Sequence, residues 1–535
     1  MDRRAFLTST LGLAAARLVA ACGGAAPAAT STPKPTDGAD PPVPTVAPAG
    51  AATPHPDGTR PPAAPSGPTA AAAVGPAEAR PTQGVPGTRP APSPTVAQPV
   101  VQAVAALEKP RSEKRPSGRL LILQNQDFHP DHNAFVRLLL EEWGKAQGWP
   151  LEIAYVGLFQ GGAELNQRLT AVVQAGTPPD ILDHNGSIQQ QVFLGLLEQI
   201  SPFVQEMEAQ HGKAVVGIRN AAQIEGKWYG APYYTRAAGY YMRNDWFQGA
   251  GLDPDRDTET YDRMRQAALK ISDPERKRWG WGMTVNRSGD GELMVQNLIH
   301  AFGGRTQDPT GEIVTLNSPE TVAGLDWLKE TYADPKWARM LPPGVNTWND
   351  SSNNDAFLAG TIGITQNAGT MLAKAYFDRV PHADAIGQVQ TPKSLNGQGP
   401  RLENGGGETL RLIKGTKNRD AALDTMRFWL SGPVQRTIWR ISIAYALPAY
   451  DNGWSDPMVA NHPISRKYRA VVDNEDWWGL ATPGPIQAAV DAVAASFIFT
   501  DTMAEILKGK PTRQAVEEMH RRAVTLYKEF GLKGE

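Results

Sequence analysis

The side chains of this 535-residue chain best placed for chemistry are aromatic rings and planar polar groups at the ends of predicted strands. Gln126-Asp127-Phe128-His129 follow the first predicted strand and His184-Asn185 follow the third. Asn286, Arg287 and Asp290 follow a later one, and Gln366-Asn367 follow the strand at Ile362–Ile364. Trp281 lies inside a predicted strand, whereas Trp348 and the pair Trp477-Trp478 lie in polar loops. Ligands of open α/β sheets sit outside the carboxyl ends of the strands. Aromatic rings cover the C–H faces of sugars, and Asp, Asn and Arg supply planar hydrogen bonds to their hydroxyls. The chemistry expected of such a set is recognition of a polyhydroxylated molecule.

Catalytic patterns are absent from the sequence. None of the nine histidines precedes Glu, no Gly-Lys pair precedes Ser or Thr, and there is no GxSxG. Gly405-Gly406-Gly407 lacks the spaced third glycine of a dinucleotide loop. His129-Pro130-Asp131-His132 has metal-like spacing but no thiolate or further ligand beside it, and reads as a loop. The expectation is a binding protein rather than an enzyme, with no metal and no cofactor. Sequence does not give the separation of two carboxylates, so a glycan-active hydrolase stays open as the alternative.

Alternating elements must position these residues. Leu120–Leu123 is an apolar run suited to a buried strand, Leu151–Val156 alternates as strands do, and Asp180–Asp183 reads as a third strand. Between them, Phe135, Leu138, Leu139 and Trp143 mark a helix capped by Asp131 or Asn133. Leu165, Leu169, Val172 and Val173 mark another, ended by Gly176. Gly239–Arg243, Trp279–Val285, Thr361–Thr365 and Leu410–Ile413 read as further strands. Helices are expected over 260–271, from Ser318-Pro319, from Ala368, and around Ala422, Met426 and Trp429. Val490, Ala494, Phe497 and Ile498, then Ala515, Met519 and Val524, indicate two C-terminal helices. Strands alternating with helices of this length imply an α/β fold with a mostly parallel sheet.

Composition divides the chain. From Leu7 to Asp127 there is no Phe, Tyr or Trp, and residues 27–100 hold nearly half of the 45 prolines. Such a stretch lacks the apolar surface to fold, so 22–118 is expected to be a disordered linker. Before it, Arg3-Arg4 and the interrupted apolar run to Val19 form a signal over 1–21 that resembles the twin-arginine type. Val19-Ala20-Ala21-Cys22 resembles a bacterial lipobox. The lipobox resemblance implies lipidation of Cys22, the only cysteine, and hence a membrane anchor. All 14 tryptophans lie beyond residue 128, in a region large enough for two cores. A net charge of −2 with no long run of one sign argues against nucleic acid as a partner.

Four stretches resemble the family 1 extracellular solute-binding proteins of bacterial ABC importers, the maltose-binding-protein-like group. They are Ala175-Gly176-Thr177-Pro178-Pro179-Asp180-Ile181, the block from Gly226 to Tyr233 continuing through Tyr241–Asp245 and Ala250–Pro254, Asp355–Ile364, and Lys414–Trp429 with Ala446–Ala449. Arg243 stands where the family usually has Asn, and residues 340–355 are unusually polar.

The resemblance implies a periplasmic-binding-protein type II-like fold, two α/β lobes with a ligand cleft and hinge crossings. Lobe 1 is expected over 119–231 with a return segment at 408–446. Lobe 2 is expected over 232–407 and, with the C-terminal helices, 447–535. The resemblance also implies a monomer that delivers a carbohydrate, an oligosaccharide above others, to ABC transporter permease subunits. A non-sugar solute is the alternative within the binding class. With Tyr233 and Tyr234 on the first crossing, the expected ligand residues are Asp127, His184, Asn185, Tyr233, Tyr234, Trp281, Asn367, Trp348 and Trp478. Plainer roles stay open: Trp281 as core, one of Tyr233 and Tyr234 as hinge packing, His184-Asn185 as a turn, Asp127 as a helix cap, and Trp477-Trp478 as a packed loop.

Overall fold

The computed structural model describes residues 97–535 apart from 128, 158–161, 185, 394–403, 443–444 and 474–483. The signal, Cys22, the linker up to residue 96, Phe128, Asn185, Trp477 and Trp478 therefore lie outside the described residues.

The apolar run Leu120–Leu123 forms the core of β1 (Leu120–Gln126), which pairs in parallel with β2 (Leu151–Gly157) and β3 (Ile181–His184). Leu120, Ile122, Ile181 and Leu182 are wholly buried, because helices cover both sides of these strands. The helix Pro130–Gln147 turns Phe135, Val136, Leu139 and Leu140 into this core and ends at Gly148, whose φ of 67° suits glycine. His129, not Asp131 or Asn133, caps it: the His129 ring accepts the His132 N–H at 3.4 Å. Asn133 is unavailable as a cap because its amide holds both the N–H and the carbonyl of Asp127, at 2.9 and 2.6 Å.

The long strand β4 (Ala231–Arg243) carries the chain from one lobe to the other. The second lobe adds β5 (Trp279–Trp281), β6 (Ile362–Asn367) and β7 (Ile386–Val389). Then β8 (Asn404–Leu412) and the short β9 (Leu447–Pro448) return to the first. The sheet runs in the order β2-β1-β3-β8-β4-β6-β5, with β7 and β9 also on β4. The first half of β4 pairs with β8 and the second half with β6 and β7, always antiparallel. The expected mostly parallel sheet is therefore mixed. Helical crossovers keep β1, β2 and β3 parallel, and β5 parallel to β6, but each passage between lobes reverses direction. At the crossing the strands approach too closely for a side chain at Gly407, against the Tyr234 carbonyl, and at Gly239 the Gln388 amide fills the place of a side chain.

Two apolar clusters result. One gathers β1, β2, β3, Tyr233, Trp429 and Tyr445, and takes in Tyr468 from beyond the third passage. The other gathers Tyr240, Tyr261, Trp281, Leu298, Leu328 and the C-terminal helices. Residues 447–472 contribute to the first cluster, through Leu447, Tyr450, Tyr468 and Val471.

Three local differences from the sequence reading have physical causes. The helix Gln98–Ala105 falls inside the stretch expected to be disordered, because Val100 and Val104 find the first core and pack beside the helix Pro130–Gln147. The strand expected over Trp279–Val285 ends at Trp281. The C-terminal region forms three helices, Ala488–Ala495, Ile498–Leu507 and Thr512–Glu529, since Phe497 adopts φ 57° and breaks the first run. Ser318 caps Pro319–Ala333 as expected, accepting the Thr321 N–H at 3.1 Å. No described helix is long and apolar enough to cross a membrane.

Candidate functional site

Charge gathers at the carboxyl ends of β1 and β3, where they meet the crossing strands. Asp127 follows β1 and accepts the Tyr445 hydroxyl; the Tyr234 hydroxyl reaches the same oxygen at 3.5 Å and the Arg236 guanidinium at 3.9 Å. Arg236, two residues beyond Tyr234 on β4, pairs with Glu408 of β8 at 2.6 Å and donates to Tyr445 at 2.9 Å. Asn125 donates to the same Glu408 oxygen at 3.1 Å. On the opposite face of β8, Arg411 donates to Gln191 at 2.7 Å and to the carbonyls of His184 and Gly186 at 2.7 and 2.5 Å.

This cluster holds three carboxylates and two guanidiniums out of water. Burial, with Glu408 and Asp127 adding to it, pushes the Asp183 carboxyl well above its usual range. Burial lifts Glu408 to about 7 against the pull of Arg236. Burial and neighbouring positive charge hold His132 and His184 down to about 3, so both rings are neutral. Asn125 Oδ1, Asp183 Oδ1, Glu408 Oε2 and the Tyr233 hydroxyl have no partner among the described residues. Buried acceptors in that condition are costly unless a donor reaches them.

The matching ends in the second lobe are built from amides. Gln366, at the end of β6, accepts the Tyr240 hydroxyl at 3.0 Å and leaves its Nε2 without a partner among the described residues. Asn367 donates to Asn354 at 2.5 Å. Asn353 donates to Asp290 at 2.8 Å and to the Gln366 carbonyl at 3.2 Å. Burial and Asp350 raise the Asp290 carboxyl well above its ordinary value. Trp348 is half-buried and packs against both apolar clusters, while its carbonyl is held by Thr284 and Asn286, each at 3.1 Å.

The lobes also meet away from the crossing strands. The helix Ala488–Ala495 of the second cluster packs against Ile188–Phe193 of the first. Asp491 there accepts the Ser187 hydroxyl, and the rings of Phe193 and Phe530 lie 4.8 Å apart.

Of the residues expected from sequence, the structure brings Asp127, Tyr234 and His184 into the charged cluster and sets Asn367 and Trp348 at the second lobe's edge of the same region. His184 forms a turn, its Nδ1 accepting the Gly186 N–H at 2.7 Å. Tyr233 packs edge-on against Trp429 with ring centres 5.2 Å apart. Trp281 takes the core role: it is wholly buried, its indole N–H donated to Tyr332 at 3.0 Å and its ring 6.0 Å from Trp327. Asp127 does not cap a helix. Arg236, Glu408, Asp183, Tyr445 and the pair Asn353-Asn354 were not singled out by sequence. The one available signal was alternation on the crossing strand, which sets Arg236 on the same face as Tyr234.

Comparison with known proteins follows this geometry. A family model described as bacterial extracellular solute-binding protein matches residues 130–436, more than half of the chain. A mannitol-binding protein of Pseudomonas aeruginosa is 28% identical over 188 residues, which is 34% of this chain and 41% of that protein, so the match spans less than half of that relative. Among solved structures, maltose-bound T. maritima MalE3 superposes with a TM-score of 0.63 at 19% identity, covering 77% of this chain and all of that one. A solute-binding protein of Agrobacterium vitis with bound D-mannitol gives 0.60 at 17%, covering 78% of this chain and all of that one. The two α/β lobes, the crossing strands and the family match agree: the chain belongs to the bacterial extracellular solute-binding protein family.

Proposed function

We propose that this protein captures a sugar or polyol between its lobes and hands it unaltered to the permease of an ABC importer. The observation that carries the reading is the gathering of planar hydrogen-bonding side chains at strand ends of both lobes, beside the crossing strands. Asn125, Asp183 and Glu408 come from one lobe and Gln366, Asn367 and Asn353 from the other, with Trp348 packed against both cores. Unpartnered acceptors in such a place suit a molecule dense in hydroxyl donors. The mannitol- and maltose-bound neighbours support that class. Ligand residues in this reading are Asp127, His184, Asn185, Tyr234, Asn367, Trp348 and Trp478, joined by Arg236 and Glu408, with Tyr233 and Trp281 supporting them from the cores. Lipid at Cys22 would hold the protein at the outer face of the membrane, near the permease.

A thermal-shift screen of the full chain over D-mannitol, other polyols and maltooligosaccharides tests the reading. A ligand at about 100 times its Kd stabilises the folded state by ~2.7 kcal/mol. At least one such compound is expected to raise the melting temperature and to be recovered chemically intact. A flat screen would contradict the ligand class, and cleavage of a glycoside would favour the hydrolase alternative.

A further inference from the structure

We propose a second ligand site, on the first lobe, for a small carboxylate-bearing molecule of about monosaccharide size. A cavity of about 310 Å³ lies between the end of the helix Ser201–His211, the helix Gly432–Ile441 and the turn that follows β9. That volume is at the lower end of ligand pockets, ~300–1,000 Å³. Its walls include His211, Arg436, Trp439, Tyr450, Asn452 and Asp456.

Three buried polar atoms of the walls lack a partner among the described residues. His211 Nε2, Trp439 Nε1 and the Tyr450 hydroxyl are buried and have no hydrogen-bond partner among the described residues. An indole N–H can only donate. The Tyr450 hydroxyl keeps its proton, because burial and the nearby Glu208 raise its pKa. Arg436 is exposed and has no carboxylate partner among the described residues, so a fixed positive charge stands at the rim.

Glu208 is taken by Lys213 at 3.0 Å and by the Ala214 N–H at 3.2 Å, and Asp456 accepts the Met458 N–H at 3.0 Å. A neighbouring indole shows the contrast: Trp454 donates to the Pro448 carbonyl at 2.9 Å. The Trp439 N–H, the protonated Tyr450 hydroxyl and an unpaired guanidinium together can serve an anionic acceptor, which a carboxylate matches. The ring of Trp439 and the His211–Tyr450 ring pair, 5.8 Å apart, supply an apolar wall for the carbon skeleton. This site is separate from the residues assigned to the cleft.

Saturation-transfer NMR on the full chain, with D-glucuronate as probe and D-glucose as the neutral control, tests the assignment. Saturable transfer to glucuronate is expected, with glucose at least tenfold weaker. R436Q, a change at an exposed position, should weaken glucuronate at least tenfold, and Y450F should weaken it several-fold. Gln366→Ala, in the cleft, should leave glucuronate binding intact. The proposal is overturned by absence of transfer to glucuronate, by equal affinity for glucose, by unchanged affinity in R436Q, or by loss of binding in Gln366→Ala.

Discussion

The strand ends of the first lobe carry charge where those of the second carry amides. Arg236, Glu408 and Asp127 form a buried ion-paired group with Asp183 and Arg411 beside it, whereas Gln366, Asn367, Asn353 and Asn354 trade neutral hydrogen bonds near the carboxyls of Asp290 and Asp350. Ions cost far more than amides to take out of water, and the network is held only while each charge keeps its counterpart. Amides, with a donor and an acceptor on one planar group, adapt to a new partner at little cost. The difference teaches a division of labour. In the proposed reading, the first lobe offers charged groups and unpartnered acceptors beside the crossing strands, and the second offers an adaptable amide face to the same ligand.

Replacing one charge should therefore hurt more than replacing one amide. Arg236→Met leaves Glu408 and Asp127 buried without their cation, and a loss of ~3–5 kcal/mol in unfolding free energy is expected by urea denaturation. Gln366→Ala removes a neutral hydrogen bond and should cost only about 1 kcal/mol. Equal costs would remove the contrast between the lobes.

The pH dependence of stability sharpens the same contrast. Glu408 titrates near 7 in the folded chain against 4.5 as its ordinary value, and Glu292, buried beneath Phe499 and Thr500, is likewise raised to about 7. The folded state then binds more protons than the unfolded one, so stability should rise as pH falls from about 8 through 7. His132 and His184, held near 3 against 6.5, act in the opposite sense and remove stability below about 6.5. Denaturation midpoints measured from pH 5 to 8 should pass through a maximum. Glu408→Gln should flatten the limb above 6.5, and an unchanged limb would remove Glu408 as its source.

The smallest effect belongs to the contact remote from the crossing strands. Phe530→Ala removes the ring against Phe193, which is itself 37% exposed. Edge contacts of this kind are worth ~0.5–1.5 kcal/mol beyond burial. Solute affinity is expected to fall severalfold with little change in global stability, as titration calorimetry would show.

Much of the scaffold was legible in sequence because apolar periodicity reports burial. Leu120–Leu123, the Ser318-Pro319 start and the Gly176 stop each stand where pattern and turn chemistry set them. Strand direction was not legible: helical crossovers imply parallel neighbours, and nothing local marks a passage between lobes that reverses the chain. Most of the charged cluster escaped for a related reason. Reading only the residues after strands finds Asp127 and His184, but Arg236 and Glu408 sit inside strands buried on both sides, where alternation no longer separates core from site. Trp281 illustrates the converse, an aromatic inside a strand that packs into the core. The helix Gln98–Ala105 escaped because two valines in a proline-rich background are too weak a period to detect.

Closure of two α/β lobes on a solute is most directly tested by small-angle X-ray scattering of the full chain, with and without a saturating sugar or polyol identified by the thermal-shift screen. The radius of gyration and the maximum dimension should both decrease on binding, reversibly on dialysis. Superimposable curves at demonstrated saturation would contradict capture by lobe closure.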